Sequence, residues 1–136
     1  MTWHLKWCIF IGAIVTIDPV RPKRIISAEF YRTEAGGEPV RDFLRKELLS
    51  NERRLVGKDI RAVEYGWPIG MPVCKDLKNG LFEVRTDFSN RICRILFGIY
   101  GRRMILFHGF IKKSESTPKV DMDTALDSQR IMEKRR

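Results

Sequence analysis

The chain has 136 residues, 26 basic against 17 acidic side chains, a formal net charge of +9 and 43% hydrophobic residues. That length holds one domain of ordinary size, and the composition excludes a disordered or collagen-like chain. The basic excess points to an acidic partner, nucleic acid first, while three scattered cysteines (Cys8, Cys74, Cys93) and two histidines exclude a zinc finger and a disulfide framework.

Residues 1–25 read as an N-terminal extension. From Trp7 to Ile17 the side chains are almost all apolar. The run is shorter than the ~20 residues a membrane-spanning helix needs, so no stable membrane association is expected. Its length also suits a signal-like segment, since His4 and Lys6 precede it, or an extra strand. Pro19 and Pro22 then mark a linker.

The compact domain is expected over residues 26–136. Alternation over 26–32 predicts a first strand. Pro39 suits the first position of a helix, where its missing N–H costs nothing, and Val40, Phe43, Leu44 and Leu48 follow at helical spacing. Ser50 and Asn51 offer caps for a second helix with Val56, Ile60 and Val63 inward. The Gly- and Pro-rich stretch from Gly66 to Pro72 reads as an irregular connection. Three strands follow over 81–87, 91–99 and 103–111, joined by turns so short that they imply an antiparallel meander. Thr117 and Pro118 open a last helix, with Thr117 as its cap and Asp121 and Asp123 matching its dipole. The expected fold is α+β: a small antiparallel sheet with helices packed on one face, in the order β-α-α-β-β-β-α.

The charge is not spread evenly. Residues 75–113 hold nine basic and three acidic side chains, two-thirds of the whole excess, and they coincide with the meander. Strand side chains alternate between faces. Phe82, Val84, Cys93, Ile95 and Phe97 then form an apolar face for the two early helices. Strict alternation puts Ile105 and Phe107 on one side of the last strand and Leu106, His108 and Phe110 on the other. The face away from the early helices carries Arg85, Arg94, His108 and Lys112, with Glu83 and Lys113 nearby.

Taken singly, each residue also has an ordinary reading. Arg85 between Glu83 and Asp87 suits a solvated ion-pair ladder, His108 a core histidine, and Lys112-Lys113 a charged strand end. Together they suit a phosphate-binding surface. RNA cleavage by 2′-hydroxyl attack needs a base, a group that stabilises charge on the phosphate, and an acid for the leaving 5′-oxygen. Arg and Lys stabilise that charge without a metal, and histidine, present here as His108, is the side-chain type whose unperturbed pKa lies near neutrality. No metal or cofactor motif, phosphate-binding loop or nucleophile elbow occurs.

Three stretches carry a family resemblance: Lys75-Asp76-Leu77-Lys78-Asn79-Gly80-Leu81-Phe82-Glu83-Val84-Arg85; Arg94-Ile95-Leu96-Phe97; and Leu106-Phe107-His108-Gly109-Phe110-Ile111-Lys112-Lys113, continuing to Thr117-Pro118. The sequence resembles the phage-derived branch of the RelE/HigB-like toxins of type II toxin–antitoxin systems, over about residues 26–134. Phe82 stands where that pattern often has Trp. The resemblance implies a cytoplasmic toxin that cleaves mRNA on the ribosome and is silenced by a helix-turn-helix antitoxin. It implies an active site at Arg85, Arg94, His108 and Lys112, with Lys75, Lys78, Arg91 and Lys113 holding RNA, and no cofactor or metal. The assignment of base and acid differs among relatives and stays open. ParE-like toxins share the fold but poison gyrase without cutting RNA, so the alternative is a non-enzymatic inhibitory module.

Overall fold

The apolar stretch near the start pairs with itself. β1 (Lys6–Phe10) and β2 (Ala13–Ile17) form a two-stranded antiparallel sheet, with Lys6 opposite Ile17 and Phe10 opposite Ala13. The computed structural model describes residues 6–10, 13–17, 23–112 and 117–135, the first two segments as backbone alone. No helix among them is long and apolar enough to cross a membrane.

The remaining elements are β3 (Ser27–Phe30), α1 (Pro39–Glu47), α2 (Ser50–Gly66), β4 (Cys74–Lys78), β5 (Leu81–Asp87), β6 (Ile92–Tyr100), β7 (Arg103–Lys112) and α3 (Lys119–Lys134). Their five strands form one sheet in the order β3-β7-β6-β5-β4. The expected α+β class and the antiparallel meander of β5, β6 and β7 are both present. Two strand relations depart from expectation. β4 follows the Gly- and Pro-rich connection in a stretch that the sequence assigns to no element, because its charged residues mask any alternation; pairing with β5 makes it a strand. β3 joins β7 in parallel, so the sheet is mixed.

The helices form where their starts allow. Pro39 opens α1 at its first turn. Glu52 caps α2 from within, its carboxylate accepting the Leu49 N–H at 2.9 Å, while Ser50 and Asn51 are the first helical residues rather than its caps. α1 and α2 pack on one face of the sheet, as the spacing of their apolar residues predicts. Val40, Leu48, Val56, Ile60 and Val63 meet Val84, Cys93, Ile95, Phe97, Met104 and Leu106 there. Burial pushes the free thiols of Cys74 and Cys93 up to about 11 and about 12, so both stay protonated near neutral pH and serve as packing.

α3 departs from the expected one-sided arrangement and lies across the opposite face. Ala125, with Met122, Leu126 and Met132, covers Leu81, Leu96, Ile105 and Phe107. That face is therefore apolar under the helix and charged beyond it.

The boundary between the two regions is set by a bulge in β7. Leu96 pairs with His108 and Phe97 with Leu106, which leaves Phe107 as an extra residue. Strict alternation fails there: Ile105 and Phe107 lie on the α3 side together with His108 and Phe110. An inserted residue changes which side chains face the core. Upstream of the bulge Met104 and Leu106 face α1 and α2; downstream Gly109 and Ile111 do.

Gly109 is required by packing. A Cβ at this position would lie 2.6 Å from Phe43 Cδ2 of α1 and 2.9 Å from Ile95 Cδ1. The His-Gly-Phe sequence thus serves two faces, its outer residues turned to the charged face and its glycine to α1. Gly109→Ala is expected to lower stability by about 1–3 kcal/mol. Urea unfolding measures this, and an unchanged midpoint would mean that α1 yields without cost.

Candidate active site

The charged end of the α3-side face is built by register. Arg85 of β5 sits directly opposite Arg94 of β6, and Arg94 opposite Phe110 of β7. Like charges facing each other across strands repel. The arrangement holds because Glu83 is on the same face, two residues from Arg85. Its Oε1 lies 3.3 Å from Arg94 Nη1 and 3.8 Å from Arg85 Nε. Its Oε2 accepts a hydrogen bond from Thr117 Oγ1 at 2.5 Å. Glu83 and Arg94 are both fully buried (0% exposed), so this ion pair is removed from water and screened little by salt.

Lys112 completes the cluster from the end of β7. The residue is 6% exposed, and Nζ has no hydrogen-bond partner among the described residues. It is enclosed by its immediate neighbours yet lies close under the surface. Burial holds its pKa below the ordinary lysine value, and Arg94 and, more weakly, Lys75 push the same way; Glu83 and Asp121 oppose them.

His108 stands beside this cluster, its ring stacked on Phe110 with centroids 5.7 Å apart and an interplanar angle of 24°. Its Nε2 lies 2.7 Å from Asp121 Oδ1 in the first turn of α3. Two carboxylates, Glu83 and Asp121, thus stand among three cationic side chains and a histidine.

The family model described as Phage derived protein Gp49-like (DUF891) matches residues 42–130. The chain belongs to this family. Two curated relatives, each named Probable endoribonuclease HigB1, come from Mycobacterium tuberculosis strains CDC 1551 / Oshkosh and ATCC 25618 / H37Rv. Each is 26% identical over 123 residues, which span 85% of this chain and 91% of the relative. The resemblance to RelE/HigB-like toxins seen in the sequence is therefore supported over most of the chain. The Gp49-like span begins in α1, ends in α3, and contains the whole charged cluster.

Within this Gp49-like domain the expected site residues separate into groups. Arg85, Arg94, His108 and Lys112 share one face, as expected. Arg85 and His108 are part-exposed, whereas Arg94 is buried and reaches solvent only through its neighbours. Lys75 is exposed on edge strand β4, opposite Glu83, and Lys78 is exposed at the turn into β5. Arg91 is not brought to this face: it forms a two-bond pair with Glu52 of α2, at 2.7 and 2.8 Å. That pair holds the Glu52 carboxyl below its usual range, chiefly through the Arg91 hydrogen bond. Lys113 lies outside the described residues.

Three residues take tasks that the sequence does not suggest. Along the chain Glu83 reads as a neighbour of the cluster, Thr117 as a helix cap and Asp121 as a dipole partner. In the structure Pro118 occupies the cap position of α3, and the Thr117 hydroxyl is turned to Glu83 instead. The Thr117-Pro118 pair marks the segment in sequence, but no local pattern reveals which carboxylate it meets.

Removing one partner of a buried ion pair costs about 3–5 kcal/mol, whereas replacing a buried charge by an apolar side chain of similar size is often neutral or stabilising. Glu83→Ala should therefore unfold at markedly lower denaturant. Lys112→Met should be at least as stable as the parent at neutral pH. Because folding lowers the Lys112 pKa, the parent gains stability as pH rises toward the unfolded lysine value of ~10.4. The advantage of Lys112→Met should shrink over that range; an advantage constant with pH would contradict the account of a lysine destabilised by burial.

Proposed function

We propose that this protein is the toxin of a type II toxin–antitoxin system and an endoribonuclease that cleaves mRNA on the ribosome by metal-independent acid–base chemistry. The observation that carries the reading is the convergence of Arg85, Arg94, His108 and Lys112 on one sheet face around buried Glu83. The endoribonuclease name of the 26%-identical relatives supports the same class of reaction.

Arg85, part-exposed, binds the scissile phosphate and offsets the charge that builds on it. Arg94 acts beneath the surface: it neutralises Glu83 and keeps the Lys112 pKa down. Lys112 gives a proton to the leaving 5′-oxygen, a role that suits an amine whose pKa is lowered toward neutrality. His108 takes the proton of the attacking 2′-hydroxyl. The 2′-oxygen bonds to phosphorus as the bond to the 5′-oxygen breaks, so the products are a 2′,3′-cyclic phosphate and a 5′-hydroxyl. Lys75 and Lys78, on the exposed β4 edge and its turn, hold the phosphate backbone. Before release the toxin is held in the cytoplasm by a helix-turn-helix antitoxin.

Arg85→Ala combined with Lys112→Ala should abolish growth inhibition while leaving a folded chain. Mapping new 5′ ends in cellular mRNA after induction tests the chemistry. Cuts within translated frames are expected from the parent and none from the double variant. Intact mRNA with DNA damage would replace the nuclease by a gyrase-directed inhibitor.

A further inference from the structure

We propose that Asp121 is a positioning residue that holds His108 in the tautomer protonated on Nε2 and leaves Nδ1 to take the 2′-hydroxyl proton. This deepens the nuclease reading above and rests on it.

The pairing is built from both sides. The bulge at Phe107 lets β7 bury Ile105 and Phe107 on the face where His108 stands, and Phe110 stacks on the His108 ring and sets its plane. Asp121 is delivered by α3, which is tied down along its length. Thr117 bonds Glu83 just before the helix, Ala125 is fully buried against the sheet, and Gln129 Nε2 donates to the Gly80 carbonyl at 3.3 Å. The carboxylate therefore meets the ring from a rigid element. The side chains of His108 and Asp121 are 22% and 21% exposed, so the 2.7 Å contact is sheltered while the ring keeps a path to solvent.

The chemistry follows from donor and acceptor roles. An ionised carboxylate only accepts, so a neutral imidazole must place its proton on the nitrogen facing it. Here that nitrogen is Nε2, and Nδ1 keeps the lone pair. When Nδ1 takes the proton from the 2′-oxygen, the imidazolium formed stays next to Asp121, which offsets its charge. The 2′-oxygen–phosphorus bond forms and the bond to the 5′-oxygen breaks, with Lys112 supplying the 5′-oxygen's proton. Exchange with water restores both groups. A carboxylate that orients a catalytic imidazole is worth up to about 10⁴ in kcat where it fixes the tautomer.

The test uses Asp121→Asn in the full chain. An amide can donate its N–H to Nε2, which favours the tautomer protonated on Nδ1. ¹⁵N spectra of the imidazoles above their titration range read the tautomer directly, and the His108 signals are those missing from His108→Gln. The expected result is an Nε2–H tautomer in the parent and a shift toward Nδ1–H in Asp121→Asn. Cleavage of ribosome-bound mRNA by that variant should fall by about 10²–10⁴ in kcat with little change in KM, with partial recovery in Asp121→Glu. A parent His108 protonated on Nδ1, or the same tautomer in parent and variant, would overturn the pairing whatever the activity. Unchanged or faster cleavage by Asp121→Asn would also overturn it and would make Asp121 a cover over the histidine. Parent protein with the Nε2–H tautomer but no cleavage of ribosome-bound mRNA would instead overturn the nuclease reading and the catalytic part of this assignment with it.

Discussion

The charged face depends on one buried carboxylate. Glu83 is fully excluded from water, and its two oxygens serve three partners on two sides: the guanidinium groups of Arg85 and Arg94, and the hydroxyl of Thr117. Without it, two arginines would oppose each other across adjacent strands in a setting where repulsion is poorly screened. With it, their charges are held at fixed spacing. A buried ion pair is a weak source of stability, since desolvation offsets most of the attraction. Its contribution here is geometric, because it makes a cationic surface possible on a sheet face that is otherwise core.

That face has two uses, and the change occurs within a few residues. Leu81, Leu96, Ile105 and Phe107 carry α3, while Glu83, Arg85, Arg94, His108 and Lys112 form the site. The bulge at Phe107 makes both possible. It lets β7 bury Ile105 and Phe107 on the same side that presents His108, and it turns Gly109 toward Phe43 on the other. The His-Gly-Phe sequence thus has a local cause at each position: a titratable ring, a space too small for a Cβ, and a stacking platform.

α3 then acts as more than a lid on the core. Its first turn and the residue before its cap add Asp121 and Thr117 to a cluster otherwise made by strands. The far end is secured by Gln129, by Tyr100 bonding Glu133 at 3.0 Å, and by Arg135 lying over Tyr31. The packing of one helix therefore reaches the ionisable groups directly. Lys112, destabilised by burial and by Arg94, stands in the same enclosure. A site with a lysine of lowered pKa and a carboxylate-bound histidine has the parts that acid–base proton transfer requires.

Much of this was legible in the chain alone. Period-two alternation located β5, β6 and β7, and the placement of Arg85, Arg94, His108 and Lys112 on one face followed from it. Helical spacing after Pro39 located α1 and α2, and the concentration of charge in residues 75–113 located the charged cluster. These features are local: each depends on a side chain's position relative to its near neighbours along one element. The relations that only folding decides are those between distant segments. Arg91 left the basic face because Glu52, 39 residues away, offers a better-matched partner. β4 became a strand because β5 pairs with it, and β3 became parallel because β7 is its neighbour. Asp121 met His108, and Thr117 met Glu83, because α3 buries its apolar side on the face that the early helices leave open. The sequence by itself determined which basic and titratable side chains are available to the proposed site. Tertiary structure decided which of them are exposed, which are counterions and which are oriented, since burial and partnership are set by packing between elements rather than by order along the chain.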